Sequence, residues 1–290
     1  NNCFKIPESF IRNKIGAEKL PVKSSSEDTS DLACKAVEVL LEKYNLKKND
    51  VDVLILITQN PDSAGLPHTS AIIHDKLSLS KNTAVFDVSL GCSGYVYGLS
   101  IMKGFMEQSN LKNGILVTSD PYSKIVNPEN KGTCLLFGDA ATATWLSDDV
   151  AWVFGRPIFK MDSSERNGLF LDKERTLNMN GRKIFNFASI EVPEQINFFL
   201  KKNNLNQDDI DLFCLHQGSL SIIDKIAKKY PDIENRFVKE MKLTGNTVSS
   251  SIPLLLEKNI DNENINRILI CGFGVGLSIA TNFIERVKND

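Results

Sequence analysis

Residues 86–105 read FDVSLGCSGYVYGLSIMKGF and determine how the rest of the chain is interpreted. An apolar run ends at Gly91, and a segment with helical periodicity begins at Cys92. The N-terminus of a helix carries partial positive charge and unpaired N–H groups, which favour a thiolate over a thiol. Cys92 is therefore the candidate nucleophile, and we expect its pKa to be lowered. The alternative for a single cysteine is a small buried residue beside a tight turn.

The composition indicates an ordinary globular enzyme. The chain has 290 residues, of which 42% are apolar and 24% charged, enough for a core in one large or two moderate domains. A formal charge of −2 without a basic run offers no footprint for nucleic acid or for an anionic membrane. No apolar stretch approaches the roughly twenty residues that span a bilayer. Six cysteines without a CxxC pair fit neither a disulfide framework nor a zinc site, so we expect a cytoplasmic protein without a metal.

A second feature is an internal duplication. The segment 40–59, LLEKYNLKKNDVDVLILITQ, aligns without a gap to the segment 199–218, FLKKNNLNQDDIDLFCLHQG. In both copies an amphipathic helix closes at Asn-Leu, an acidic turn follows, and an apolar strand ends at polar residues. One long repeat of this kind indicates two copies of a supersecondary unit rather than a short-repeat solenoid. The chain is predicted to consist of two similar halves, residues 1–150 and 151–290.

Strands and helices alternate along the chain. Apolar runs predict strands at 51–57, 84–88, 115–118, 210–215 and 268–271, and one longer strand at 134–146 kinked around Gly138. Helical periodicity predicts helices at 31–44, 68–77, 93–108, 188–202 and 220–229. This alternation is typical of a layered α/β fold with mostly parallel sheets.

Six motifs, in order, carry a resemblance to a known family. They are DVSLGCSGYVYGLS around Cys92, KGTCLLFGDAATA from Lys131, LNMNGRKIF from Leu177, LHQGSLSII around His216, GNTVSSSIPLLL around Asn246 and GFGVGLS near the C-terminus. The chain resembles a β-ketoacyl-ACP synthase III of the thiolase superfamily. The resemblance implies a thiolase-like five-layered αβαβα fold from two duplicated halves. It places Cys92 in the first half and His216 and Asn246 in the second, and it implies a homodimer.

The resemblance also implies an acyl transfer to Cys92. The thiol would attack an acyl-CoA primer, and the oxyanion would be held by the backbone N–H groups of Cys92 and Val275. Gly274 and Gly276 flank Val275 and would let the backbone approach the thioester closely.

A condensation would follow, in which malonyl-ACP loses CO₂ and attacks the acyl group. His216 and Asn246 match the residues that donate hydrogen bonds to the malonyl thioester oxygen, so His216 should be neutral with a proton on Nε2. The resemblance implies no cofactor, because CoA and phosphopantetheine thioesters are the substrates. The resemblance therefore implies an acyltransferase whose product is a 3-oxoacyl-ACP.

Thioester recognition departs from the family pattern. Phe10 stands where a tryptophan often stacks on the CoA adenine, and Lys14 and Lys131 stand where arginines contact the CoA phosphates. Lysine keeps the charge but loses the fork geometry, so an acyl carrier protein could be the preferred donor. Leu66 matches a position that reaches the acyl pocket of the partner subunit. A leucine there permits a primer longer than acetyl.

Three alternatives stay open. Cys, His and Asn occur in the order of papain-like proteases, in which the asparagine orients a histidine base. The chain could also be a non-catalytic partner in a heteromeric acyl-transfer complex. A third alternative is an acyltransferase of a specialised pathway that passes the acyl group to a nucleophile other than malonyl-ACP.

The N-terminal end of the resemblance is a separate feature. The matching begins some way into the family pattern, and Asn1 is not a methionine. We expect a leader ahead of Asn1 to supply a first strand at the centre of the first sheet, because a sheet without its centre would leave backbone groups unpaired.

Overall fold

The computed structural model describes residues 4–287, and these contain eight α-helices and eleven strands. The helices are α1 (Glu8–Phe10), α2 (Thr29–Lys43), α3 (Thr69–Leu77), α4 (Gly94–Ser109), α5 (Lys131–Cys134), α6 (Gly181–Lys202), α7 (Leu220–Ala227) and α8 (Ser251–Asn259). The strands are β1 (Val53–Ile57), β2 (Ala84–Val88), β3 (Asn113–Ser119), β4 (Ala141–Ser147), β5 (Trp152–Phe154), β6 (Ile158–Met161), β7 (Leu169–Leu171), β8 (Leu177–Met179), β9 (Leu212–Leu215), β10 (Arg267–Gly274) and β11 (Ser278–Arg286).

Two main sheets organise these elements. The first has the order β2-β1-β3-β4, in which β1, β2 and β3 are parallel and β4 is antiparallel to β3. The second has the order β5-β11-β10-β9, in which β9 and β10 are parallel, and both β5 and β6 pair with the antiparallel strand β11. A small hairpin joins β7 to β8.

The sheets and helices form five layers. Leu54 and Leu56 of β1 share a core with α2 and α3, whereas Val53, Ile55 and Ile57 share a core with α4, α8 and β10. The other face of the second sheet packs against α6 and α7. Alternate residues of a strand point to opposite faces, so these two cores cover both faces of β1. The sequence of β1 is continuously apolar because every one of its side chains is buried. The predicted five-layered α/β fold of two duplicated halves is confirmed.

The duplication is visible in individual hydrogen bonds. Asn45 and Asn204 follow the equivalent helices α2 and α6 with left-handed φ values of 51° and 54°. The carboxylate of Asp52, just before β1, accepts the N–H groups of residues 112 and 113 at 2.8 and 2.9 Å. Asp211, just before β9, accepts those of residues 266 and 267 at 2.7 and 2.9 Å. In each half the aspartate thus ties a strand to its parallel neighbour.

The predicted strand at 134–146 is wrong in its first part. Residues 131–134 form α5 instead, and the strand begins only at Ala141. The apolar residues between them turn to meet a distant segment, because Gly138 donates its N–H to the carbonyl of Asn246 at 3.0 Å. A Cβ at Gly138 would lie 2.1 Å from the Thr244 carbonyl oxygen, which explains the glycine.

Two further expectations also need correction. Helix α6 begins at Gly181, seven residues before the predicted start, because the Asn180 side chain caps it by accepting the Lys183 N–H. The centre of the first sheet is formed by the adjacent parallel strands β1 and β3. That sheet therefore has its central strands within the described residues.

Candidate active site

Cys92 lies in the turn between β2 and α4. Only 3% of its surface is exposed. The helix begins at Gly94, and a Cβ there would lie 2.4 Å from Ile57 Cγ2, so glycine allows the helix to start directly against β1. The backbone of this turn therefore lies directly against β1.

The end of β10 supplies the other wall around the thiol. A Cβ at Gly274 would lie 2.7 Å from both Cβ and Sγ of Cys92, and a Cβ at Gly272 would lie 2.6 Å from the Cys92 carbonyl oxygen. The backbone N–H groups of Val275 and of Cys92 itself lie near the sulfur and act to lower its pKa. The structure thus brings together at Sγ the two N–H groups that the sequence analysis names for the oxyanion.

The expected low pKa of Cys92 is not found. Burial raises the pKa of the thiol to about 12, and the carboxylate of Asp120 adds to the rise, against the smaller effect of the two N–H groups. The thiol is therefore protonated at neutral pH in the substrate-free protein. The prediction from the helix N-terminus failed because Cys92 is enclosed by residues that are distant in sequence, and desolvation disfavours the charged form.

Asn246 is held in a fixed orientation by its backbone and its side chain. Its N–H donates to the Leu136 carbonyl at 2.9 Å, within the same bridge that Gly138 closes. Its Oδ1 accepts the N–H of Val248 at 2.9 Å, and Val248 has a left-handed φ of 54°. This contact orients the side chain, and its NH₂ group is the part that can donate to a ligand.

His216 follows β9 and is 2% exposed. Its Nδ1 lies 2.7 Å from the Ser251 hydroxyl, and its ring meets the edge of Phe273 at a centroid distance of 5.4 Å. Burial lowers the pKa of His216 to about 3, although the Val248 carbonyl acts in the opposite direction. The imidazole is therefore neutral at pH 7, the form that the sequence analysis expects.

Val248 connects the three candidate catalytic residues. It belongs to the same buried cluster as Cys92, and its carbonyl acts on His216. Its N–H orients Asn246. Since the backbone of one residue contacts both polar side chains and its side chain packs beside the thiol, the three residues converge on one buried site.

Asp120 and Tyr122 are site residues that the sequence analysis missed. Asp120 is fully buried and accepts the Gln59 N–H at 2.8 Å and the Ser249 hydroxyl at 2.6 Å, and burial raises its pKa to about 6. It ties the carboxyl ends of β1 and β3 to the segment that carries Asn246. Its position directly after a parallel strand was a usable signal, because sites in α/β folds form at the carboxyl ends of strands.

Tyr122 lies in the buried cluster with Cys92 and stacks at a tilt on Phe137, with ring centroids 4.8 Å apart. Leu169, Leu177 and Val248 complete this cluster. The thiol is therefore surrounded by apolar and aromatic side chains.

The predicted substrate-binding residues lie in several parts of the structure, and only some of them adjoin the thiol. Gly274 and Gly276 adjoin Val275 at the thiol. Phe10 is 48% exposed, and Lys14 is exposed on the same N-terminal segment. Lys131 is exposed at the start of α5.

These exposed groups lie on neighbouring segments. Ile11 and Ile15 of the N-terminal segment pack against Leu135 and Leu136, directly after α5. Leu66 is different: it is 86% exposed and lies outside the cluster around Cys92 in its own chain.

Two negative findings concern residues 4–287. No three His, Cys, Asp or Glu side chains in this range converge as metal ligands. None of the helices described for this range is both long and apolar enough to cross a bilayer.

The five-layered fold and the cysteine, histidine and asparagine joined through Val248 define a thiolase-type protein with a buried thiol site. Residues 86–157 match the family 3-oxoacyl-[acyl-carrier-protein (ACP)] synthase III, and residues 200–286 match its C-terminal part. The chain is 33% identical to the β-ketoacyl-[acyl-carrier-protein] synthase III of one Clostridium perfringens strain, covering 96% of this chain and 90% of the relative. The same-named protein of Streptococcus mutans is 32% identical over 93% of this chain and 88% of its own length.

Solved structures agree with the sequence comparisons. A crystal structure of a 3-oxoacyl-(acyl-carrier-protein) synthase III superimposes with a TM-score of 0.89 at 31% identity, covering 96% of this chain and 91% of that one. The β-ketoacyl-[acyl carrier protein] synthase III of Thermus thermophilus gives a TM-score of 0.89 at 27% identity, covering 98% and 92%. The chain belongs to the 3-oxoacyl-ACP synthase III family.

Proposed function

We propose that this protein is a 3-oxoacyl-ACP synthase III that first loads an acyl group from an acyl-CoA primer onto Cys92. The sulfur attacks the thioester carbonyl carbon, the carbon–sulfur bond to CoA breaks, and the thiol proton leaves with CoA. The N–H groups of Cys92 and Val275, which meet at the sulfur, are placed for the oxyanion that develops beside it. Covalent capture divides one difficult condensation into two easier steps.

The second step is a decarboxylating condensation with malonyl-ACP. The bond between the malonyl carboxylate and the methylene carbon breaks, CO₂ leaves, and the electron pair forms an enolate. Its carbon attacks the acyl carbon, the Cys92 sulfur leaves and takes up a proton, and 3-oxoacyl-ACP is released. The neutral His216 and the Asn246 amide NH₂ are the two groups that can donate to the enolate oxygen. No cofactor is required for this sequence of steps.

The observation that carries the proposal is the approach of two N–H groups to Sγ beside two neutral donors, His216 and Asn246, that both contact the backbone of Val248. Incubation with an acyl-CoA should add one acyl mass to the protein, and subsequent malonyl-ACP should remove it and give 3-oxoacyl-ACP. An acyl adduct that transfers only to another nucleophile would indicate the specialised acyltransferase instead. Absence of an adduct would contradict the synthase and favour the hydrolase or the non-catalytic partner.

We propose that CoA enters beside the N-terminal segment and α5. The exposed ring of Phe10 can stack on an adenine, and Lys14 and Lys131 offer single positive charges to phosphates. The packing of Ile11 and Ile15 on the residues after α5 holds these two segments side by side. The free thiols among the described cysteines agree with a reducing compartment, and we propose a cytoplasmic location.

A homodimer is also proposed, with β2 as the strand that pairs across it. This strand, with the sequence AVFDV, is the edge of the first sheet, and its five residues are only half-buried. Its one charged residue, Asp87, is occupied by the N–H groups of Thr69 and Ser70. An apolar, unprotected edge is a template for pairing with another strand. A second copy of β2 would cover it.

Leu66→Phe is expected to shift primer preference toward acetyl-CoA. We propose that Leu66 reaches the acyl tunnel of the partner subunit, in agreement with its 86% exposure in one chain. Primers of about six to eight carbons should then react with the wild type, each buried CH₂ contributing up to about 0.8 kcal/mol. Overpacking by phenylalanine costs about 1–3 kcal/mol. The measurement is kcat/KM for self-acylation across primer lengths, with Val39→Phe as a control at another exposed position.

Mixed dimers make this prediction sharper. In a mixed dimer of a Leu66→Phe subunit and a Cys92→Ser subunit, the one remaining Cys92 faces a leucine from the other subunit, so the long-primer profile should be retained. Wild type paired with the double variant Cys92→Ser/Leu66→Phe should show the restricted profile. If the primer-length profile instead follows residue 66 of the subunit that carries Cys92, or does not change, Leu66 does not act across the interface. A wild type that reacts only with acetyl-CoA would contradict the longer primer.

A further inference from the structure

The hydroxyl of Ser251 is the hydrogen-bond partner that the described residues offer to Nδ1 of His216. The two atoms are 2.7 Å apart, and both side chains are almost completely buried. A neutral imidazole carries its proton on one nitrogen and accepts with the other. The direction of this one hydrogen bond therefore decides whether Nε2 of His216 carries a proton.

Two arrangements of the Ser251 proton are possible. The hydroxyl has one hydrogen to donate. Its oxygen lies 2.7 Å from Nδ1 of His216 and 3.1 Å from the carbonyl oxygen of Val248. If the hydrogen is donated to Val248, Nδ1 must carry a proton and Nε2 is a bare acceptor. If it is donated to Nδ1, Nε2 carries the proton and is a donor.

The surroundings favour donation to His216. The Val248 carbonyl already accepts the backbone N–H of Ser251, so it has a partner without the hydroxyl. The contact to Nδ1 is also the shorter of the two, 2.7 against 3.1 Å. The backbone N–H of Gln217 approaches the Ser251 hydroxyl oxygen at 3.4 Å. This N–H can only donate, so it occupies a lone pair of the hydroxyl oxygen and leaves the hydroxyl hydrogen free to point toward His216.

We propose that Ser251 is a positioning residue that donates to Nδ1 of His216 and thereby keeps the tautomer with the proton on Nε2. This inference rests on the proposed function, in which Nε2–H donates to the enolate oxygen. Val248 contacts both donors or their partners, because its N–H fixes the Asn246 amide and its carbonyl accepts the Ser251 N–H. The serine acts through the histidine and does not touch the substrate.

The tautomer can be observed directly. The chain contains three histidines, so ¹⁵N-histidine labelling of the full protein gives a simple long-range ¹H–¹⁵N spectrum in which the two tautomers differ. The wild type should show His216 protonated on Nε2, and Ser251→Ala should shift it toward Nδ1 protonation. Ser251→Thr, which retains the hydroxyl, should restore the wild-type pattern. A wild-type spectrum with the proton on Nδ1, or a Ser251→Ala spectrum identical to wild type, would overturn the proposal.

Activity gives a second readout. Ser251→Ala should slow malonyl decarboxylation by about 10- to 100-fold, by analogy with the loss of hydrogen-bond partners of metal-bound histidines, and should change acyl-Cys92 formation by less than about twofold. Ser250→Ala is the matched control, because Ser250 is equally buried and bonds Thr118 instead of His216. Equal losses in Ser250→Ala and Ser251→Ala would contradict the proposal. A wild type that makes no 3-oxoacyl product would refute the proposed function and leave the spectroscopic test intact.

Discussion

Cys92→Ser should abolish formation of the acyl-enzyme. A serine hydroxyl is far less ionised and less nucleophilic than a thiol, and the site contains no strong base, because burial keeps His216 a very weak one with a pKa of about 3. Loss of the nucleophile should reduce acyl transfer on the order of 10⁴-fold or more. Intact-mass measurement after incubation with acyl-CoA should show an adduct on wild type and none on the variant.

The control for this prediction is another buried cysteine. Cys34 lies in the outer core with α2 and α3, far from the site in the layer order, so Cys34→Ala should acylate like wild type. An adduct of equal mass and rate on Cys92→Ser would show that another residue is the nucleophile. The nucleophile should be tested with an acyl thioester rather than with iodoacetamide. Because the Cys92 thiol has a pKa of about 12 and is 3% exposed, iodoacetamide is not expected to label it before the other cysteines.

The sequence predicts the framework well, because the framework depends on local patterns. The fully buried strand β1 reads as a continuous apolar run, and its repeat at β9 places two similar halves. The candidate catalytic residues are identified by the motifs that contain them. His216 and Asn246 then meet at Val248, which motif order alone does not specify.

The sequence does not predict features that arise from contacts between distant segments. Residues 135–140 are as apolar as a strand, yet the approach of Gly138 to the Thr244 carbonyl turns them toward Asn246. The raised pKa of Cys92 likewise results from enclosure by residues of both halves. Ser251 sits in a run of three serines, and nothing in that run indicates which hydroxyl meets the imidazole.

Asn246→Ala and His216→Ala should separate the two half-reactions. Both side chains are assigned to the enolate, whereas the first oxyanion is assigned to the N–H groups of Cys92 and Val275. Each variant should therefore lose malonyl decarboxylation by about 10²- to 10³-fold, the usual cost of one oxyanion-type donor, while acyl-Cys92 formation is reduced much less. Radiolabelled CO₂ release and intact-mass kinetics measure the two steps on the same preparation.

Asn246→Asp is the control that separates donation from folding. Its carboxylate can still accept the Val248 N–H that now binds Oδ1, so the backbone of the loop should be retained. It has no NH₂ group, and its negative charge faces the developing enolate, so decarboxylation should fall at least as far as in Asn246→Ala. If His216→Ala loses adduct formation as completely as Cys92→Ser, His216 is the base that takes the thiol proton. The raised pKa of Cys92 would then be relieved by the imidazole rather than by the two N–H groups at the sulfur.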